Sequence, residues 1–173
     1  VELTAEIADG WLPFMYSPTK GEDIYKNSLE SGFSKSGVIE KKEKFEIVTT
    51  VFGRVCEENE VDEYLYPARN IYTLYVGGMG AKSKNFYYNL FCEYGYEDIA
   101  DELQNLYLSG KKKESEQLFP RELLDELTLV GTKKDIEQKL EKWKDSNITE
   151  ISLSLPIDFE TVKFIKELLW KFC

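Results

Sequence analysis

Apolar positions along the chain fall into a few short runs and several helical stripes. Residues 45–52 (FEIVTTVF) are β-branched and aromatic and predict a strand, which Gly53 breaks. Residues 9–14 form a second apolar run and predict a buried strand, preceded by Leu3, Ile7 and Ala8 at the end of an apolar-faced helix. Ser17 suits an N-cap and Pro18 a first helical position, so a helix is expected to open there, bury Tyr25, Leu29 and Phe33, and stop near Ser36-Gly37. A helix over 60–75 has Val61, Tyr64, Leu65, Ala68, Ile71, Tyr72 and Tyr75 on one face. Pro67 inside it predicts a kink, and Gly77-Gly78 is expected to end it. Residues 79–126 read as mostly helical, interrupted at Gly95, Gly110 and Pro120. Thr132 with Asp135 three positions on resembles a capping box and opens a helix with Ile136, Leu140 and Trp143 inward. Residues 148–155 (ITEISLSL) alternate as a strand, Pro156 ends it, and a last helix is expected to bury Val162, Ile165, Leu169 and Phe172.

Each expected strand is separated from the next by at least one helix. That order implies an α/β fold with parallel strands joined by right-handed crossovers. We read residues 1–173 as a single domain with a helical insertion at about 79–126. A chain of 173 residues holds a real core, but a complete eight-stranded α/β barrel takes about 250 residues.

Composition narrows the chemistry. The formal net charge of −10 repels phosphate backbones and anionic lipid, which argues against nucleic-acid or membrane-surface binding. No apolar run approaches the roughly 20 residues of a membrane span, and the start shows no signal-peptide pattern. The three cysteines are widely spaced and odd in number, which fits a reducing cytoplasm better than a disulfide scaffold. The chain has no histidine, so His-based metal sites, His general bases and Ser-His or Cys-His nucleophile systems are excluded within it.

Ordered motifs then become informative. Residues 5–13 (AEIADGWLP) running on to Tyr16-Ser17-Pro18 resemble the sixth-strand region of luciferase-like monooxygenases. Residues 74–80 (LYVGGMG) with Lys84-Asn85-Phe86-Tyr87 resemble one deazaflavin-associated branch of that family, and Leu129-Val130-Gly131-Thr132 resembles its approach to the last strand. The resemblance implies a partial (β/α)₈ TIM barrel, about strands 6–8, from the C-terminal part of a longer enzyme whose first half lies upstream. It also implies a flavin- or deazaflavin-dependent oxidoreductase or monooxygenase acting on a small organic substrate. The cofactor expected is a reduced deazaflavin coenzyme of the F420 type, with FMN as the alternative. A fragment of this kind is expected to be inactive by itself, and its expected partners are a homodimer mate or the missing N-terminal half. The rival reading is a non-catalytic α/β module that pairs through exposed strand edges.

In such a barrel the site lies at the carboxyl ends of the strands, and the cofactor carries the chemistry while the protein positions it. The cofactor-binding candidates are Gly10, Trp11, Tyr16, Ser17 and Lys20: an aromatic wall, followed by a helix N-terminus and a lysine suited to an anion. Core packing for Trp11 and ordinary capping for Ser17-Pro18 stand beside that reading. The substrate-binding candidates are Arg54, Gly77, Gly78, Lys82, Lys84 and Asn85. A connection after the seventh strand opens on the catalytic side, so the insertion is expected to act as a lid and substrate selector. Gly77-Gly78 reads either as its hinge or as a helix stop, and Lys82, Lys84 and Asn85 either as contacts or as a solvated face.

Overall fold

A computed structural model describes residues 1–80, 84–154 and 158–171, and resolves them into two compact units: Val1–Glu58 with Leu129–Cys173, and Asn59–Thr128. The first unit is built around β2 (Glu46–Val55). Three shorter strands pair with successive stretches of β2, all parallel to it. These are β1 (Gly10–Trp11) at Glu46 and Ile47, β4 (Glu150–Ser154) at Val48 to Phe52, and β3 (Leu129–Gly131) at Gly53 to Val55. The parallel α/β arrangement expected from strand–helix alternation is therefore present.

Alternation along β2 defines two faces. Ile47, Thr49, Val51 and Gly53 are buried, whereas Val48, Thr50, Phe52 and Arg54 are half-buried. Phe45 shares the buried parity and packs edge-on against Phe33 of α2 (Gly21–Ser36), with ring centroids 5.1 Å apart, so the buried face is the helix-facing one. By register, Glu150, Ser152 and Ser154 of β4 join Val48, Thr50 and Phe52 on the opposite face.

Several local expectations need correction. The strand expected over 9–14 is only two residues long, because Pro13 cannot donate to a ladder and Met15 adopts a left-handed φ of 58° that turns the chain. Ser17 does not cap a helix at Pro18; its hydroxyl accepts from the Lys20 amide at 2.9 Å, making a turn, and α2 begins at Gly21. β3 was not foreseen, since three residues are too short to show a period. α1 (Glu2–Ile7) buries Ala5 against Gly32 of α2 and leaves Leu3 and Ile7 exposed, the reverse of the expected apolar-inward face. The capping box at Thr132 and Asp135 is present and opens α9 (Lys133–Lys144). In α10 (Phe159–Lys171), Ile165 and Leu168 are buried and Val162 is exposed; the expected core role of Leu169 and Phe172 lies outside the described side chains. The short α3 (Lys41–Lys44) leads into β2.

The second unit is helical: α4 (Val61–Gly78), α5 (Phe86–Phe91), a π-helical turn at Cys92–Tyr96, α6 (Glu97–Leu108), α7 (Lys112–Leu118) and α8 (Arg121–Leu127). α4 runs through Pro67 as one helix. Gly77 and Gly78 end it as expected, lying in its last turn, where a Cβ on Gly77 would lie 2.6 Å from Tyr107 Cβ. A side chain at either glycine would collide with Tyr107, because α4 approaches α6 closely there.

Candidate functional site

At the carboxyl end of β2, Arg54 lies on the face turned away from the helices. Its guanidinium is 2.8 Å from Asp158 Oδ2, with both side chains 31% exposed. Asp158 also accepts from Thr161, at 2.9 Å from its amide and 2.6 Å from its hydroxyl, and so fastens the start of α10. Thr161 in turn accepts from the Val55 amide at 2.9 Å. The result is a relay of bonds from the end of β2 to α10. Burial pushes the Asp158 carboxyl upward, but the two Thr161 donors and the Arg54 charge outweigh it and hold it below the ordinary carboxylate range. A planar cation oriented this way, on the same face as Phe52, Thr50, Ser152 and Ser154, offers an aromatic surface, hydroxyls and a charge to a flat, polar or anionic ligand.

The candidates after β1 sit elsewhere. Trp11 pairs with Ile47 in register and therefore shares the helix-facing side; its ring meets Tyr25 edge-on at 4.7 Å. Tyr16 is 1% exposed, its hydroxyl donates to Asn147 Oδ1, and its ring lies where a Cβ on Gly21 would be, 2.3 Å from Tyr16 Cζ. Burial, then the nearby Glu22 charge, pushes the Tyr16 hydroxyl well above the usual phenol value, so it remains a donor. Ser17 is fully buried in its turn. Gly10 lets Glu46 approach closely, since a Cβ there would meet Glu46 O at 2.7 Å. The structure thus brings Trp11, Tyr16 and Ser17 together as packing around the helix face, while Lys20 stays partly exposed at the foot of α2.

In the helical unit, Asn85 is buried and its bonds are all to backbone: it donates to Tyr75 O at 2.9 Å and Val76 O at 2.8 Å, and accepts from the Tyr87 and Tyr88 amides. It caps α5 and ties it to the last turn of α4. Lys84 is exposed, and Lys82 lies outside the described residues. The polar set on β4 and the Asp158–Thr161 pair escaped sequence reasoning. An Asp at an N-cap three residues before a Thr is a readable signal; the facing of Ser152 and Ser154 toward Arg54's side is set by register alone. Among the described residues, no helix is long and apolar enough to cross a membrane, and no three or more Cys, Asp or Glu side chains converge as a metal site.

Comparisons with known proteins bear on the fold and the family. A protein of Mycobacterium tuberculosis named as a coenzyme F420-dependent oxidoreductase is 34% identical over 149 residues, covering 86% of this chain and 42% of its own length. The structure resembles the coenzyme F420-dependent tetrahydromethanopterin reductase of Methanopyrus kandleri, with a TM-score of 0.67 and 16% identity over 97% of this chain and 45% of that one. It also resembles an F420-dependent secondary alcohol dehydrogenase solved with an F420-acetone adduct, with a TM-score of 0.61 and 14% identity over 96% of this chain and 44% of that one. The two structural likenesses speak to the fold, and the chain spans less than half the length of each of these proteins. The sequence model of the luciferase-like monooxygenases matches residues 1–150, and the chain belongs to that family.

Proposed function

We propose that this chain forms the C-terminal part of an oxidoreductase that uses a deazaflavin coenzyme of the F420 type, with β1, β2 and β4 standing as the sixth, seventh and eighth strands of a (β/α)₈ barrel. The observation that carries the reading is the 34% identity to a protein named as F420-dependent, joined to a sheet whose helix-free face mixes polar side chains with Val48 and Phe52. The residues present fit such a group: Phe52 offers a flat surface, Thr50, Ser152 and Ser154 offer hydroxyls, and Arg54 offers a charge to an anionic moiety. The bound coenzyme supplies hydride chemistry, and the protein orients it and excludes water. Both junctions of the helical unit, after Val55 and before Leu129, fall at the carboxyl end of β2, because Leu129 pairs with Gly53. That connectivity supports a role for residues 59–128 in selecting the substrate. Fluorescence titration of F420 and of FMN against the protein purified from its own gene tests the proposal. Saturable F420 binding with weaker FMN binding is expected; binding of neither overturns it.

A second reading is favoured by one observation: Leu3 and Ile7, one turn apart on α1, are 63% and 70% exposed. In that reading α1 and the edge at β1 dock a protein partner without catalysis. A stable complex in the absence of any coenzyme affinity would select it.

A further inference from the structure

The helical unit contains a polar seam that the proposed function does not use. Gln104 of α6 is fully buried, and neither its amide nitrogen nor its amide oxygen has a hydrogen-bond partner among the described residues. Thr73 of α4 is likewise fully buried, with an unpartnered hydroxyl. α7 brings the two together. Asn70 of α4 donates to Glu116 at 2.8 Å, while Ser115 donates to Leu103 O of α6 at 2.8 Å. Residues 70 and 103 are thus anchored to consecutive positions of α7, and further along Gly77, about two turns beyond Asn70, meets Tyr107, about one turn beyond Leu103. α4 and α6 pack side by side, and interpolation between these two points brings the Thr73 turn level with Gln104.

Burying an amide and a hydroxyl without partners is costly, and native folds pair such groups with protein or with ordered water. A glutamine amide brings two donors and an acceptor, and a threonine hydroxyl a donor and acceptors, which meets the requirement of two to four polar contacts for an internal water. We propose that the α4–α6 seam is an internal hydration site, in which a bound water bridges the Gln104 amide and the Thr73 hydroxyl. Both side chains are fully buried, so the group that satisfies them is taken to be a single solvent molecule.

A high-resolution crystal structure of the whole chain tests this, with water-to-amide magnetisation transfer in solution as a second measurement. An ordered water within hydrogen-bond distance of both side chains is expected, together with transfer to the amides near 73 and 104. Both signals should vanish in a Gln104→Met, Thr73→Val variant, whose thermal midpoint should equal or exceed that of the parent, because matched apolar groups replace a hydrated pair. A direct Gln104–Thr73 bond, or a dry contact with no transfer in the parent, overturns the proposal.

Discussion

Asn85 shows how one side chain can hold two helices in place. Four backbone groups depend on it, two carbonyls ending α4 and two amides opening α5. Asn85→Ala should lower the unfolding free energy by about 2–3 kcal/mol, since buried polar groups lose their partner; chemical denaturation measures it. A loss of substrate affinity with unchanged stability would restore the contact role read from the sequence. Gly77 makes a complementary case. Gly77→Ala should cost roughly 1–3 kcal/mol through overpacking against Tyr107. The cost should shrink when Tyr107→Ala is added, so a double-mutant cycle on thermal stability should show strong coupling, whereas additive effects would sink this account.

At the scale of elements, the capping box of α9 ties helix stability to pH. The Thr132 hydroxyl holds the Asp135 carboxyl below its ordinary range, with the Thr132 backbone amide and Lys139 adding to the effect against a partial burial penalty. A carboxyl depressed in the folded state contributes stability that is present above its unfolded value of about 3.9 and is lost as pH falls through its folded value. Asp158, also depressed, acts in the same direction at the start of α10. Asp135→Asn should therefore be less stable than the parent at neutral pH, and the difference should narrow below about pH 4. Thermal melts across pH 2.5 to 7 measure this, and a pH-independent gap would contradict it.

For the molecule as a whole, the arrangement around Arg54 links the sheet to its proposed ligand. Because the pair with Asp158 is about one-third exposed, Arg54→Ala should change stability by less than about 1 kcal/mol. If this face holds an anionic ligand group, F420 affinity should fall more than tenfold, as measured by fluorescence titration against the parent protein. Unchanged affinity would remove Arg54 from the site.

Much of the architecture was legible along the chain because it is local. β2 announces itself by β-branched alternation, Gly37 by its place after an amphipathic stripe, and the Thr132–Asp135 box by spacing, all of which depend only on neighbouring residues. The family resemblance was likewise carried by ordered motifs. The tertiary structure decided what depends on distant partners: that Tyr16 spends its hydroxyl on Asn147, that Gly77 and Gly78 make room for Tyr107, and that α1 turns Leu3 and Ile7 outward. It also decided that Ser152 and Ser154 share a face with Arg54's side of β2. Side-chain direction, strand register and the space beside a glycine are set by segments far apart in sequence, and a period along one segment carries no record of them.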